Sequence, residues 1–514
     1  MILKLILYLL CLLTYINASR ILAMFPIPSI SHQVVFRPIT QELVRRGHEV
    51  IVITTDPAFP KGQAPKNLTE IDLHDMSYTM WWNLLEGIEN IRDPIQQLKK
   101  IIDVSYPIFE QQIKTESVQK ILKYKNDYFD LILVEACVRP AIGLSYVFKA
   151  PVIQVSSFGA VLDNHDIIGT PTHPILYPSM LRDRFYNLTM WEKIIQIKKE
   201  FTSMMIKRNR DYDNEILKRT FGENIPPIEE LYDNVAMLFL NMHPIWENNR
   251  PVPPGVVYMG GLHLNLIKEL PKDLKSYLDS SKNGVIYLSL GSNIKSSNLP
   301  PPILHAIVKV FSRLPYDVLW KWDVDELPGR PSNIKISKWL PQSDLLRHPK
   351  IKLFITQGGL QSTDEAINAG VPLIGIPLIS DQWYNVEQYL YHKIGLRLDI
   401  DKITEETLES AINTILNDNS YRENILRLRS IIHDQPQSPL ERAVWWTEHV
   451  LRHGDARHLR SPAANISLTQ YLELELVFTL VTVVVISFLV LYKVCKTIFK
   501  YLCTNEADVK IKRS

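Results

Sequence analysis

Residues Trp339 to Tyr389 read WLPQSDLLRHPKIKLFITQGGLQSTDEAINAGVPLIGIPLISDQWYNVEQY. The apolar run Ile351 to Ile355 predicts a short buried strand, Gly358-Gly359 a turn, and Ser362 to Ala369 a helix that stops at Gly370. Val371 to Pro377 gives a second apolar run bounded by prolines, so two parallel strands flank one helix in a right-handed βαβ unit. Gln361, Ser362 and Thr363 fall at the first positions of that helix, just after the glycines. Free backbone N–H groups and the positive end of the helix dipole favour a phosphate there, and glycine lets a ligand approach the backbone. A diphosphate is the natural guest.

The spacing of fixed residue types resembles the signature of the UDP-glycosyltransferases, the family that includes the UDP-glucuronosyltransferases. The pattern W-x-P-Q, HP, F-x-x-H-x-G, S with an acidic residue, P and D-Q appears as Trp339, Pro341, Gln342, His348-Pro349, Phe354, Gly358, Gly359, Ser362, Glu365, Pro377 and Asp381-Gln382. Gln357 stands where most of the family has histidine, as in the arthropod branch. A neutral amide still donates to a phosphate but without the charge-assisted part of the bond. The resemblance implies that Trp339 stacks on uracil and Glu365 holds the ribose hydroxyls. It further implies that Gln342, Gln357, Ser362 and the Gly358-Gly359 turn belong to the donor site, with Asp381-Gln382 on the sugar hydroxyls.

With 514 residues, 46% of them hydrophobic and 22% charged, the chain buries large cores and is too long for one, so two globular domains are expected. A net charge of +2 gives no case for nucleic acid as a partner. The histidines show no metal-ligand spacing and no Cys-x-x-Cys occurs, so neither a metal nor redox chemistry is signalled and no cofactor is expected beyond a UDP-sugar co-substrate. Asp323-Val324-Asp325 has the form of a D-x-D metal motif but continues into Glu326-Leu327-Pro328-Gly329, which reads as a surface turn.

Lys4, the apolar run Leu5 to Leu13 and the small residues Ala18 and Ser19 read as a signal peptide over residues 1–19. Cys11 lies in that signal, and Cys495 and Cys503 follow the membrane segment described below, so Cys137 stands without an intramolecular partner. The run Ile21 to Phe25, a turn carrying Ser31 and His32, a helix ending at Arg45-Arg46-Gly47 and the strand Val50 to Ile53 begin a second α/β unit. Its turn lacks the glycine fingerprint of dinucleotide sites, which disfavours a Rossmann oxidoreductase. His32 falls where open α/β sheets bind ligands. The strand Phe129 to Val134 ends at Glu135. The family resemblance makes His32 the catalytic base and puts the carboxylate that orients it at Glu135, where relatives carry the shorter Asp.

Between these elements, Met80-Trp81-Trp82 with Leu84, Leu85 and Ile88 reads as core, as an apolar acceptor pocket or as a membrane-surface contact. Further strands are expected at Val152 to Ser156, Val235 to Leu240, Val285 to Leu290 and Val318 to Trp322. Ser292, in the loop after Val285 to Leu290, matches the family's L-G-S and is a second expected phosphate contact. A helix from Ala443 to Leu451 is expected, from the resemblance, to cross back onto the first domain with Trp445-Trp446 packed there. Asn67, Asn187 and Asn465 open glycosylation sequons. Leu476 to Tyr492 carry no charge, and at ~1.5 Å per residue they span roughly 26 Å, close to the ~27 Å core of the endoplasmic reticulum bilayer. Lys493, Lys496 and Lys500 follow, which puts the C-terminus in the cytosol. Lys510 and Lys512 have the spacing of a dilysine retrieval signal.

The expectation is an α/β enzyme of GT-B architecture, two Rossmann-like domains plus one C-terminal transmembrane helix. Residues 20–268 take the acceptor, 269–435 the UDP-sugar, 436–460 return to the first domain, 461–475 are juxtamembrane, 476–492 span the membrane and 493–514 form a basic tail. The implied reaction is inverting transfer of a hexose, glucose favoured over glucuronate, to a hydroxyl of small lipophilic acceptors, as in detoxification. Such an enzyme resides in the endoplasmic reticulum membrane with lumenal catalytic domains, and a homo- or hetero-oligomer is compatible with it. A different class, a catalytically weak binder of UDP-sugars or lipophiles, is compatible with Gln357 and Glu135 departing from the commoner residues.

Overall fold

The computed structural model describes residues 18–511 apart from 86, 89, 90, 92, 209 and 265–267, so nearly all of the expected signal peptide, with Cys11, and Lys512 lie outside the described residues. Two wholly parallel sheets carry the chain. The first contains β1 (Arg20–Phe25), β2 (Glu49–Thr54), β3 (Leu68–Asp72), β4 (Leu131–Glu135), β5 (Val152–Ser156), β6 (Val235–Leu240) and β7 (Val256–Tyr258), in the order β3-β2-β1-β4-β5-β6-β7. The second contains β8 (Val285–Ser289), β9 (Asp317–Lys321), β10 (Ile334–Ser337), β11 (Ile351–Thr356), β12 (Leu373–Gly375) and β13 (Gly395–Arg397), in the order β10-β9-β8-β11-β12-β13. Strands such as LILVE and VAMLFL are buried along their whole length, as helices on both faces of a parallel sheet require. These are the two expected α/β units.

Strand order reverses once in each sheet. In the first, β1 lies between β2 and β4, and in the second β8 lies between β9 and β11. Open α/β sheets bind ligands at such a reversal, beyond the C-terminal strand ends. The loops leaving β1, β4, β8 and β11 therefore set the site.

Sequence periodicity left four strands unread, the three-residue edge strands β7 (VVY) and β13 (GLR) and two longer ones, β3 (LTEID) and β10 (IKIS). The longer two are also edge strands whose half-exposed faces tolerate polar residues, so neither shows the unbroken apolar run of its neighbours. Strand β11 leads through Gly358 to the helix Leu360–Ala369, which begins two residues earlier than its periodicity suggested and ends at Gly370 with φ +72°. The helix Pro439–His453 lies against the helix Ile30–Arg45 of the first sheet, where Ala443, Val444 and Val450 join Val35, Phe36 and Ile39 in one buried cluster. Arg46 donates to Glu448 at 3.0 Å across the same seam. Of the tryptophan pair expected there, Trp446 packs against the cluster while Trp445 is exposed. The carboxylate of Asp323 accepts from Ser297 and that of Asp325 pairs with Lys338, as befits a surface turn.

The C-terminal helix runs from Leu474 to Ile511, and its stretch Leu474–Tyr501 is long and apolar enough to cross a membrane. It outlasts the uncharged run because lysine is a good helix former, so the helix does not stop where the hydrophobicity does.

Candidate active site

The helix Ile30–Arg45 starts directly after β1, and His32 stands in its first turn. Its Nδ1–H donates to Glu135 Oε1 at 2.6 Å. Glu135, the last residue of β4, is fully buried, and its Oε2 accepts from the Ile27 backbone N–H at 3.1 Å. A buried carboxylate held at both oxygens fixes the imidazole with Nδ1 protonated and leaves Nε2 as an acceptor. The glutamate that ends β4 thus reaches His32 directly despite its extra methylene. Phe158 meets the imidazole edge-on with ring centroids 5.5 Å apart. Cys137 is in ligand range of both groups, but the short His32–Glu135 contact is a hydrogen bond, and burial and then Glu135 push the thiol well above its ordinary pKa.

On the second sheet, Gly358 turns the chain at φ +88°, and an added Cβ there would meet Val386 Cγ2 at 2.5 Å. The helix Leu360–Ala369 then opens at Gly359, so its first N–H groups lack intrahelical partners. One of them, that of Leu360, reaches the carboxylate of Asp381, which also accepts from Asn385 at 2.7 Å. Burial pushes Asp381 up to about 6. Gln382 turns its Oε1 back onto the N–H groups of Leu378 and Ile379, at 2.8 and 2.9 Å, and so shapes the loop that presents Asp381.

Gln342 is the hub of a separate polar cluster. Its Nε2 donates to Ser362 Oγ at 2.8 Å and to Glu365 Oε2 at 2.7 Å, and its Oε1 accepts from the Tyr287 hydroxyl at 2.9 Å. Burial pushes Glu365 up to about 7. Trp339 is 63% exposed, with Lys321 Nζ 4.6 Å from its ring centroid, and Lys321 also donates to the Gly291 carbonyl at 2.8 Å. Gln357 lies so close to Gly291, itself at φ +79°, that a Cβ there would come 2.1 Å from Nε2. The Oε1 of Gln357 is buried without a hydrogen-bond partner.

These groups line two clefts with a common wall. One, roughly 1060 Å³ with its open mouth, is mainly apolar and holds His32, Asp381 and Gln382 against Trp81, Leu85 and Leu162. Of the aromatic cluster read at Met80 to Ile88, Trp81, Leu85 and Ile88 form this wall. The other cleft contains Ser292, Trp339, Gln342, Ser362 and Glu365. Ser31, Asn293, Gln357, Gly359 and Gln361 face both, so the two spaces meet between the sheets. All twelve residues singled out from the sequence thus gather around one interface, Gly358 as the turn beneath it.

Several residues there carried no sequence signal of their own. Asn293 donates to Ser29 at 3.3 Å and joins the two loops, and Gln361 donates to the Ser157 carbonyl at 2.9 Å. Gln97, from the helix Pro94–Lys114, donates to the Leu378 carbonyl at 3.0 Å and accepts from the Ser380 N–H at 2.9 Å. Trp246 donates to Asn385 at 2.9 Å while its carbonyl accepts from Tyr384 at 2.8 Å. Asn293 and Gln361 stood where a ligand contact could be suspected, Asn293 after Gly291-Ser292 at a strand end and Gln361 in the first turn of the helix that follows the glycines.

Comparison with known proteins shows the family and the fold. Residues 21–509 match the family described as UDP-glucoronosyl and UDP-glucosyl transferase. The chain is 37% identical over 493 residues to an ecdysteroid UDP-glucosyltransferase of Spodoptera littoralis nuclear polyhedrosis virus, covering 92% of this chain and 96% of that one. It is 31% identical over 508 residues to UDP-glucosyltransferase 2 of Dactylopius coccus, covering 97% and 96%. In fold it is similar to Arabidopsis thaliana UGT89C1, solved with UDP-L-rhamnose, at a TM-score of 0.57 and 16% identity over 85% of this chain and 99% of that one. With two parallel sheets of GT-B architecture and a family match over nearly its whole length, the chain belongs to the UDP-glycosyltransferases and is a sugar-transferring enzyme that uses a UDP-sugar donor.

Proposed function

We propose that this enzyme moves glucose from UDP-glucose to a hydroxyl of a small lipophilic acceptor, with inversion at the anomeric carbon. The observation that carries the reading is the His32–Glu135 pair, at 2.6 Å, in an apolar cleft that it shares with Asp381. Uracil stacks on the open face of Trp339, the ribose hydroxyls donate to Glu365, and the diphosphate takes the first-turn N–H groups beside Ser362 with Ser292 and Gln357. Asp381 and Gln382 hold the glucose hydroxyls. The acceptor hydroxyl gives its proton to His32 Nε2 as its oxygen bonds to the anomeric carbon, the carbon–phosphate oxygen bond breaks, and UDP leaves on the helix terminus.

The relatives named as glucosyltransferases support glucose, and those named for ecdysteroids make a hydroxylated steroid the first acceptor to try. Such work suits detoxification or hormone inactivation. The apolar helix Leu474–Tyr501, followed by lysines, suits a type I anchor in the endoplasmic reticulum with the catalytic domains lumenal. The test is UDP release by the detergent-solubilised full chain, offered UDP-glucose or UDP-glucuronate with an ecdysteroid and a panel of phenols. Turnover with UDP-glucose and a β-linked product is expected. Turnover confined to UDP-glucuronate overturns the sugar, an α-linked product overturns inversion, and donor binding without turnover favours a sequestering protein.

A further inference from the structure

A surface helix ordinarily turns its apolar stripe to the core and its charges to solvent. The helix Met190–Arg208 does the reverse. The side that meets the body is polar: Gln196 is buried, Glu192 pairs with Arg184 at 2.7 Å, and Glu200 pairs with Arg182 at 2.8 Å. The outward side carries Met190, Trp191, Ile194, Ile195, Ile197 and Phe201, each about half exposed or more, with Trp191 at 75%. At ~3.6 residues per turn these six fall on one side of the helix.

Ile197 and Phe201 line a cleft of roughly 1190 Å³, open mouth included, together with Tyr471 and Leu472. Tyr471 and Leu472 are half exposed, and the helix long and apolar enough to cross a membrane begins two residues later at Leu474. Two residues of chain reach at most ~7 Å. A bilayer entered at Leu474 therefore comes up beside the same cleft.

We propose that the outward face of the helix Met190–Arg208 lies in the surface of the bilayer that the C-terminal helix crosses, and that the cleft beside it passes lipophilic acceptors from the lipid towards His32. An exposed apolar face of this extent marks an apolar partner, and the nearest one is the lipid around Leu474. Tryptophan is a residue type that favours the membrane interface, and Lys198, on the same side, has a stem long enough to raise its ammonium to the headgroups.

Leu162 links this surface to the chemistry. It lines the cleft beside the helix and also the apolar cleft that holds His32 and Asp381. Its φ of +52° is a left-handed angle that leucine adopts only under strain, and such strain collects at clamps and switch points. On the inner wall Glu247 is paired with His165 at 2.6 Å and Asp163 with Arg139 at 3.5 Å, which limits the cost of an apolar guest. An acceptor dissolved in lipid would enter between Phe201 and Tyr471 and reach the reaction cleft past Leu162. This route rests on transfer to a lipophilic acceptor, as proposed above; the membrane surface does not.

The test uses the full chain in lipid nanodiscs. No tryptophan occurs between Leu474 and Tyr501, so a tryptophan quenched by brominated phospholipid belongs to the catalytic body. Quenching is expected in the parental chain, and Trp191→Phe should remove most of it. No quenching in the parental chain, as when a second copy covers this face instead, or equal quenching in both chains, overturns the membrane surface. For the route, Ile197→Trp fills the cleft mouth and keeps the face apolar. It should raise the KM for a long-chain alkylphenol held in the lipid severalfold more than the KM for a water-soluble nitrophenol, and equal changes for the two overturn the route. UDP binding by each variant shows that it is folded. Absence of transfer to either acceptor in the parental chain overturns the acceptor class and the route with it, while the Trp191 quenching still decides the membrane surface.

Discussion

Glu365 is the residue whose chemistry should be visible in a pH titration. Burial pushes its carboxyl up to about 7. A ribose hydroxyl needs an acceptor, and the carboxylate offers more acceptor capacity than the acid. Donor affinity should therefore rise as pH increases through about 7 and fall below it. For folding the sign is opposite: the folded state holds this proton more tightly than the unfolded one, so the group favours the fold as pH drops below about 7. UDP-glucose is the right probe, because neither of its phosphates titrates in this range. Calorimetry from pH 6 to 8 should show a rising affinity in the parental chain and a flatter profile in Glu365→Gln, and identical profiles would remove Glu365 from the donor contacts. At the other sheet, Glu135→Gln keeps a hydrogen-bonding group on His32 but removes the charge that favours the imidazolium. It should lower kcat while leaving UDP binding unchanged, by less than loss of His32 itself. A kcat equal to the parental value would show that Glu135 only shapes the fold.

Among the elements, the strand–turn–helix from β11 to Ala369 does most to shape the cleft proposed for the donor. Gly358 holds a backbone angle that other residues reach only at a cost of roughly 1–2 kcal/mol. The Val386 methyl at 2.5 Å from an added Cβ would raise that cost. Gly358→Ala should therefore lower Tm and shrink the Tm increase that saturating UDP produces, as a thermal-shift titration would record. An unchanged UDP-induced shift would mean that this turn does not shape the donor cleft. This unit was also the most legible part of the sequence, because glycines, a capping position and two apolar runs reinforce one another within Ile351 to Pro377. His32 and Glu135 were legible for a related reason, since each ends or follows a buried strand. Edge strands β3 and β10 were not, because half-exposed strands lose the apolar pattern. Nor were Gln97 and Trp246, whose contacts join positions more than a hundred residues apart and leave no trace in local spacing.

At the scale of the molecule, the proposed reaction requires two sheets to meet with their strand ends facing. Gln97 contributes to that alignment by holding both Leu378 and Ser380, the residues just before Asp381. Gln97→Ala should leave UDP affinity intact, since Trp339 and Glu365 lie in the neighbouring cleft, yet lower kcat/KM for UDP-glucose about tenfold, the equivalent of one hydrogen bond at ~1.4 kcal/mol. Equal kcat/KM in both chains would mean that the loop holds its shape without the first sheet. The central claim is that His32, presented by the first sheet, deprotonates an acceptor attacking a sugar held by the second. The most direct measurement compares transfer from UDP-glucose in parental and His32→Ala chains with two acceptors, an aliphatic alcohol and an acidic nitrophenol. Loss of the base should cost the alcohol ~10²–10⁴-fold and the nitrophenol, which ionises unaided, far less, with UDP binding equal in both chains. Equal losses for the two acceptors, or none for the alcohol, would contradict the account.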